Sequence, residues 1–277
     1  GLNFVRGLIE SGVNIRAINL SIQVYYNLEP NHDNLVKDPL WRAMKEIDSL
    51  DKAVMVVAAG NYGDAVGQYS SARGGYIYPA SFDGLNNMIS VGALDTDYTL
   101  ASFSNTGADV AAPGVNILST YLQSSSSSTV STRTMRGTSM AAPFVTGSAA
   151  LLASINSNLT AYQIKTVLLN GSQGIVSAAS EKVFNLSSAV DYYNNNQNTI
   201  AQTPTPATDY DDYKNYSQIT NPTYYNENSD NNNGINNNSS NGGGGCSSIK
   251  NEELGIRNYL ILFLPVMIFA LIKFKKE

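Results

Sequence analysis

The sequence predicts an α/β domain in which a parallel β-sheet carries helices on both faces. Short apolar runs alternate with helical patterns over the first 193 residues, and Lys52–Ala59 (KAVMVVAA) is apolar almost throughout. Alternating elements and continuous apolar strands are typical of parallel sheets buried on both faces. A change in composition then limits the domain, because residues 194–253 contain almost no aliphatic side chains.

The elements follow in order along the chain. A helix ends in Asn3–Ser11, a strand follows at Ile15–Ile22, and apolar residues at helical spacing predict one helix over Leu35–Leu50. Thr160 is a suitable N-cap for a later helix, because its hydroxyl can accept from a free backbone N–H of the first turn. The remaining predictions are strands at Lys52–Ala59, Met88–Ala93 and Val110–Ala112, and helices at Met140–Ser154 and Thr160–Leu169.

Residues 194–253 differ from the predicted domain at residues 1–193. They contain asparagine runs, repeated Tyr and Asp, the TPTP sequence Thr203–Pro206 and the glycine run Gly242–Gly245. Such a segment buries too little apolar surface to offset the conformational entropy of folding. We therefore expect a disordered linker.

The C-terminal segment is apolar enough to anchor the chain in a membrane. Fourteen consecutive apolar residues, Tyr259–Ile272, precede a basic tail at residues 273–277 (KFKKE). Extension back to Leu254 gives 19 residues, close to the roughly 20 that a spanning helix needs. The basic tail suits the cytoplasmic side. We predict a single transmembrane helix at residues 254–272 and a domain on the lumenal or extracellular side.

Other interpretations of this end of the chain stay open. A buried core helix is less suitable, because the linker offers no core for it to join. Gly245, Cys246 and Ser247 fit the small-residue site of a glycolipid-anchor signal, but the terminal lysines argue against that signal. Lys273 and Lys275 resemble a dilysine retrieval signal, although a stop-transfer flank explains them more simply.

Charge and cysteine content exclude some functions. The net charge is −5 and only 14% of residues are charged, so there is no basic patch for nucleic acid. The single cysteine, Cys246, cannot form a disulfide within the chain. The chain begins with Gly1 inside a helical pattern, so we expect it to be the C-terminal part of a longer protein.

The strongest chemical signal is the run Gly137–Gly147 (GTSMAAPFVTG). It places Ser139 at the start of a helix, where backbone N–H groups have no internal partner and the helix dipole is positive. A serine there is suited to attack a carbonyl whose oxygen becomes negative. By itself, a Gly-Thr-Ser sequence would usually be a plain helix cap.

This run resembles the signature GTSMAxPxVxG of the subtilisin-like serine proteases. Further motifs match the family in the same order: Val56–Asn61 (VVAAGN), Tyr78–Ala80 with Ile89–Ala93, Ala101–Asn105 (ASFSN) with Ala111–Gly114, and Phe184–Leu186. The resemblance covers roughly 190 residues. It implies a subtilisin-like fold that is incomplete at its N-terminus, and a serine endopeptidase.

The resemblance also implies roles for individual residues. Ser139 matches the nucleophile, and Asn61 matches the side chain that donates to the tetrahedral intermediate. The segment Ser21-Ile22-Gln23 matches the edge that pairs with an extended peptide substrate. The wall of the specificity pocket is matched by Ala58, Ala59 and Gly60. The family usually has Gly where Gln23 stands, so the neighbouring subsites are expected to differ in shape.

The residues that should activate the serine are not found at matching positions. The only histidine is His32, next to Asp33, and it follows the strand that the family's catalytic His precedes. We therefore interpret His32 as an exposed loop residue near the substrate cleft. The resemblance implies that both the His and the Asp of the triad precede Gly1.

The sequence shows no metal-binding motif. Asp95, Asp97 and Asp109 suggest calcium, which is common in the family, but acidic loop residues are mostly just solvated, and no ligands can be assigned. No cofactor is required for the expected reaction. Four sites fit the N-glycosylation pattern, at Asn158, Asn170, Asn185 and Asn215.

The sequence as a whole predicts a membrane-anchored, monomeric serine endopeptidase that cleaves extended peptide or protein substrates. The chain by itself is expected to be inactive. The alternative is a membrane-tethered pseudoprotease or binding module without a complete triad.

Overall fold

The computed structural model describes residues 1–122, 130–174, 181–207, 210 and 213–215. A five-stranded sheet forms the centre of this part of the chain, in the strand order β1-β3-β5-β6-β9, and all its pairings are parallel. In chain order the elements are α1 (Leu2–Glu10), β1 (Ala17–Leu20), β2 (Val24–Tyr26), α2 (His32–Leu35), α3 (Pro39–Asp48), β3 (Val54–Ala58), β4 (Tyr76–Tyr78), β5 (Met88–Leu94), β6 (Val110–Pro113), β7 (Ile117–Leu122), β8 (Val130–Met135), α4 (Thr138–Ile155), α5 (Ala161–Gly171), β9 (Lys182–Val183), α6 (Leu186–Ala201) and a 3₁₀ turn (Tyr213–Asn215).

Alternate side chains of the strands pack into two separate cores. Val54 and Val56 of β3 face α4, α5 and α6, whereas Met55 and Val57 face α1 and α3. Every residue of β3 and β5 is buried, as expected of strands covered on both faces. The predicted α/β fold with a parallel sheet and helices on both faces is confirmed.

One helix prediction was wrong. The sequence predicts a single helix over Leu35–Leu50, but the structure has a short helix that ends at Leu35 and a second that starts at Pro39. Proline disfavours helical geometry in the residue before it and is well suited to the first helical position. Asp38 caps the second helix by accepting from the backbone N–H of Trp41, so a new helix begins there.

Helix α4 runs through the middle of the domain. It is the one helix among the described residues that is long and apolar enough to span a membrane, but over half of it is buried inside the domain. The predicted transmembrane helix at residues 254–272 and the tail at residues 273–277 lie outside the described residues.

The folded part extends beyond residue 193, where we placed the start of the linker. Helix α6 continues to Ala201 with Ile200 buried, and Tyr213 is 2% exposed. We call residues 203–207, 210 and 213 the strap, because they run from α6 on one face of the sheet to Trp41 on the other. Residues 208–209, 211–212 and 216–253 lie outside the described part.

The strap is held by polar and aromatic contacts. Gln163 Nε2 donates to the carbonyl of Thr203 at 3.2 Å, and Thr205 Oγ1 donates to Asp51. Further along, Asn86 Nδ2 donates to the carbonyl of Pro206 at 2.6 Å. The ring centroids of Tyr210 and Tyr213 lie 5.4 and 5.7 Å from that of Trp41. Composition alone misses such contacts because each joins residues far apart in sequence.

Candidate active site

The predicted site residues converge at the carboxyl ends of β1 and β3, where α4 begins. Ser21 follows β1, Asn61 follows β3 by three residues, and Ser139 is the second residue of α4. Carboxyl ends of parallel strands are the usual position of ligand sites in open α/β sheets. Residues more than a hundred positions apart in the chain therefore become neighbours.

Glycine makes the start of α4 possible. Gly137, the N-cap, has φ 145° and ψ 160°, in the region that favours glycine. Its N–H donates to the carbonyl of Gly114 at 2.8 Å, and a Cβ on Gly114 would lie 2.5 Å from Cβ of Ala93. The helix start is thereby held against the ends of β5 and β6. Gly137 has no side chain with which to cap the helix, so the first N–H groups are left for partners outside it.

The backbone carbonyl of Ser139 is hydrogen-bonded to the residue that follows β1, because Pro143 cannot donate to it. In an α-helix the carbonyl of residue 139 accepts from the N–H of residue 143, but proline has no N–H. Ser21 Oγ donates to this carbonyl instead, at 3.0 Å. Asn19 Nδ2 in turn donates to Ser21 Oγ at 2.8 Å. Ser139 is 7% exposed, and its Oγ lies 3.5 Å from the carbonyl oxygen of Ser21.

Asn61 is held by the residue that precedes Ser139. Asn61 Oδ1 accepts from the backbone N–H of Thr138 at 2.8 Å and from Thr138 Oγ1 at 3.0 Å. Thr138 Oγ1 itself accepts from the N–H of Gly60 at 3.1 Å. Because the oxygen end of the carboxamide is doubly occupied, its NH₂ end is directed away from Thr138. Among the described residues, no hydrogen bond uses Asn61 Nδ2, so it can donate to a bound group.

Asn105, which sequence reasoning did not select, fixes the turn that carries Asn61. Its Oδ1 accepts from the N–H groups of Tyr62 and Asp64, both at 3.0 Å, and its Nδ2 donates to the carbonyl of Ala59 at 3.0 Å. Its own N–H donates to the carbonyl of Gly60 at 3.0 Å. Asn105 is fully buried. Its position in the matched motif Ala101–Asn105 was the one feature of the sequence that could have pointed to Asn105. The motif does not reveal these long-range hydrogen bonds.

Gly60 leaves room for this arrangement. Its φ is 111°, and a Cβ at this position would lie 2.2 Å from Ile77 Cδ1 and 2.5 Å from Asn105 Nδ2. Real Cβ contacts are never this close, so only glycine fits. Ala58, Ala59 and Gly60 are all buried. They form the end of β3 beside the segment that follows β1.

That segment, Ser21 to Tyr25, passes alongside the Asn61 turn. Tyr25 OH donates to Asp64 Oδ2 at 2.8 Å and accepts from Asn105 Nδ2 at 3.4 Å. Burial raises the pKa of the Tyr25 phenol, so the phenol stays protonated and remains a donor. Ser21 and Ile22 are partly exposed, whereas Gln23 is 5% exposed. The predicted substrate-binding segment thus borders both Ser139 and the Asn61 turn.

His32 lies in a different environment. It begins the short helix α2, its Nδ1 is 3.5 Å from an Asp33 oxygen, and its ring centroid is 5.1 Å from that of Tyr210. Tyr210 packs against the core on the α3 side of the sheet, opposite the face that α4 covers. The prediction of an exposed loop residue was wrong, because His32 is partly buried, begins a helix and packs against Tyr210 of the strap.

The three aspartates that suggest calcium are engaged in local hydrogen bonds. Asp109 accepts from the N–H and Oγ of Ser90, and Asp95 and Asp97 accept from nearby threonines. No group of three or more His, Cys, Asp or Glu side chains that could hold a metal ion occurs in the described part of the chain. Calcium binding stays a prediction without assigned residues.

Comparisons with known proteins agree with this geometry. A family model described as the subtilase family, Peptidase_S8, matches residues 8–199. Subtilisin DY of Bacillus licheniformis is 40% identical over 127 residues, which are 43% of this chain and 41% of that protein. The serine protease AprX of Bacillus subtilis is 38% identical over 163 residues, 50% of this chain and 34% of that protein. The chain therefore spans less than half the length of these relatives.

A solved structure gives the same result for the fold. A protease from Pseudoalteromonas arctica superimposes with a TM-score of 0.50 at 27% identity, covering 63% of this chain and 50% of that protein. The part of the chain with the sheet and its helices is thus similar to known proteases in both sequence and backbone.

Proposed function

The chain belongs to the subtilase family, and from this membership we propose that it is part of a serine endopeptidase whose nucleophile is Ser139. The observation that carries the proposal is the pair of hydrogen bonds from Thr138 to Asn61 Oδ1. They fix a carboxamide donor one residue away from a serine at a helix start. This is the arrangement that acyl transfer needs, a nucleophile beside preorganised donors for a developing oxyanion.

In the proposed reaction, Ser139 Oγ attacks the carbonyl carbon of the scissile peptide bond. The carbonyl oxygen becomes negative and accepts from Asn61 Nδ2 and from the N–H of Ser139. Collapse of this intermediate breaks the C–N bond, releases the amine and leaves an acyl-enzyme on Ser139. Water then hydrolyses the ester. No cofactor takes part in any of these steps.

A hydroxyl is a weak nucleophile unless a base removes its proton. We propose that the base is a histidine oriented by an aspartate, and that both belong to a segment outside this chain. His32 is already packed with Asp33 and Tyr210. The chain of residues 1–277 alone is therefore expected to be inactive.

We propose that the substrate is a peptide in extended conformation. It would pair with Ser21, Ile22 and Gln23, and place the side chain next to the scissile bond against Ala58, Ala59 and Gly60. The partial exposure of Ser21 and Ile22 beside the nucleophile supports this path. The enzyme is proposed to act as a monomer.

Membrane attachment is a separate part of the proposal. The apolar run Tyr259–Ile272 and its basic flank support one transmembrane helix at residues 254–272. The linker would end at residue 253, the tail at residues 273–277 would be cytoplasmic, and the catalytic domain would be lumenal or extracellular. Alkaline carbonate extraction should leave the full-length protein in the membrane pellet and release a version that ends at residue 253. Release of both would contradict the anchor.

Hydrolysis by the full-length protein tests the enzymatic proposal. Ser139→Ala should abolish cleavage of a denatured protein substrate, because it removes the attacking oxygen. Ser148→Ala is the matched control: Ser148 is also buried on α4, but its Oγ donates to the carbonyl of Phe144 at 2.8 Å. It should retain activity. A folded full-length protein that binds peptides but cleaves none would favour the pseudoprotease or binding-module alternative.

A further inference from the structure

Two segments of the chain border the space proposed for the substrate side chain next to the scissile bond. One segment is Ser21–Gln23 and the other is Ala58–Gly60. They lie at the ends of neighbouring strands, since Leu20 at the end of β1 is the register partner of Val57 in β3. Whatever lies between the two segments therefore limits the size of the side chain that the enzyme can accept.

Ile77 of β4 lies where these two segments meet. Its backbone is the register partner of Tyr25, two residues after Gln23, in the β2–β4 pair. Its side chain ends beside the other segment, because a Cβ added to Gly60 would overlap Ile77 Cδ1. Ile77 thus connects the strand that continues the first segment with the end of the second segment.

The space beside Gly60 is already filled by side chains of the protein. Ala58 and Ala59 are fully buried, and Gly60 is buried as well. Ile77 is 1% exposed, and Asn105 Nδ2 also lies beside the position that a Cβ on Gly60 would take. Protein interiors are close-packed, so even one additional methylene needs room. A long substrate side chain cannot enter between the segments unless Ile77 moves.

We propose that Ile77 forms the floor of a shallow specificity pocket and restricts the residue whose carbonyl is attacked to a small, uncharged side chain such as alanine. The rim of the pocket is accessible, because Ser21 and Ile22 are partly exposed. The floor presents a methyl group, which gives a polar or charged side chain no partner. This inference rests on the proposed peptidase function.

A series of peptides that differ only at the residue before the scissile bond tests the inference on the full-length protein. That residue is alanine, 2-aminobutyrate, norvaline or norleucine, so the unbranched side chain lengthens by one carbon at each step. One methylene too many in an apolar pocket lowers kcat/KM by roughly 10–200-fold. The wild type should therefore cleave the alanine peptide at least about tenfold better than the norvaline and norleucine peptides.

Ile77→Val deletes only Cδ1, the atom beside Gly60, and so makes room for one further carbon. It should raise kcat/KM for the 2-aminobutyrate peptide relative to the alanine peptide by about tenfold. Ile77→Ala should extend the gain to norvaline. Ile47→Val is the matched control, because Ile47 is fully buried in the same core but lies on α3. It should keep the wild-type order of the peptides.

The milder variant keeps the test independent of folding. Ile→Val substitutions in cores cost little stability compared with Ile→Ala, so Ile77→Val gives a result even where Ile77→Ala fails to fold. A ratio of kcat/KM values for two peptides does not depend on the amount of folded enzyme. A purely structural role of Ile77 would therefore leave the order of the peptides unchanged.

Equal cleavage of all the peptides by the wild type, or an order that Ile77→Val does not change, would overturn this inference and leave the peptidase function in place. The same holds where the wild type cleaves a denatured protein but none of these peptides. Cleavage of neither by a folded wild type would overturn the peptidase function and the inference together.

Discussion

The two edges of the central sheet are organised in different ways. At the carboxyl edge, side-chain amides and hydroxyls bind backbone groups of short turns, as Asn105 binds the turn from Ala59 to Asp64. At the amino edge, the strap crosses in front of β3 and β5, where it binds Asp51 and Asn86 and packs two tyrosines on Trp41. One edge places a few polar atoms in a defined arrangement, and the other joins the two faces of the domain.

The two edges therefore contribute to two different properties, catalysis and stability. Contacts at the carboxyl edge hold Asn61 and the proposed nucleophile, Ser139, in place, so their loss is expected to slow catalysis. Contacts at the amino edge bury apolar surface far from Ser139, so their loss is expected to lower the free energy of unfolding. Variants at the carboxyl edge should therefore act mainly on catalysis, with a smaller cost in stability, and variants at the amino edge mainly on stability.

The largest expected effect is at Asn61. Asn61→Leu in the full-length protein should lower kcat by roughly 10²–10³-fold, with little change in KM, which is the loss known for the oxyanion-hole asparagine of subtilisin whose role we propose for Asn61. Asn61→Asp keeps an oxygen for the two Thr138 bonds but loses the NH₂ donor, so it should be impaired as well. Peptide kinetics measure both. An active Asn61→Asp variant would mean that Asn61 acts only through Thr138.

Removal of the strap's buried ring should act on stability instead. Tyr213 is 2% exposed, packs on Trp41, and its carbonyl accepts from Arg42 Nη1 at 2.6 Å. Tyr213→Ala should lower the free energy of unfolding by about 3 kcal/mol, because it leaves a cavity. Urea denaturation measures the loss, with Tyr98→Ala as control because Tyr98 is 70% exposed. An unchanged unfolding midpoint would contradict the packing of the strap.

A smaller effect is expected from Ser21→Ala. The Ser139 carbonyl would lose its donor, and Pro143 cannot replace it, so unfolding should become easier by about 1–2 kcal/mol. In a Pro143→Ala background the restored N–H can reach that carbonyl, and the same change should cost less. The double-mutant cycle, measured by urea denaturation, isolates this coupling. Equal costs in both backgrounds would contradict the explanation given for Ser21.

The smallest expected effect is a pH dependence of stability that comes from Asp38. Burial raises the pKa of Asp38 above its ordinary 3.8, although hydrogen bonds from Trp41 and Tyr26 oppose the shift. The folded state then binds the proton more tightly than the unfolded state. The stability this provides is fully present below pH 3.8 and is lost as the pH rises through the folded-state pKa. Relative to Asp38→Asn, the wild type should therefore become less stable as the pH rises, in unfolding series from pH about 3.5 to 7.

Much of the fold could be predicted from sequence because it depends on local patterns. The apolar run Lys52–Ala59 became β3, and Thr160 caps α5 as predicted, with its hydroxyl accepting from the backbone N–H of Gln163. The split at Pro39 was missed because the apolar stripe on each side of it continues at helical spacing. The ribbon of β2 and β4 was missed because neither three-residue strand is distinctive by itself.

The site was predictable to a different extent. Short motifs led to Ser139 and Asn61, and the structure brings both residues to the same edge of the sheet; their catalytic roles stay predictions. The bonds that hold them were not predictable, because Ser21 and Asn105 act on residues about 40 to 120 positions away. Composition predicted a linker from residue 194, but it could not reveal that Tyr213 packs beside Trp41.

Covalent labelling tests the central claim most directly. The full-length wild type is treated with a fluorophosphonate probe, and the modified peptide is identified by mass spectrometry, with Ser139→Ala and Ser148→Ala treated in parallel. The adduct is predicted on Ser139, absent from Ser139→Ala and retained in Ser148→Ala. A folded full-length protein that takes up no probe, or carries it on another residue, would contradict the proposal that Ser139 is an activated nucleophile.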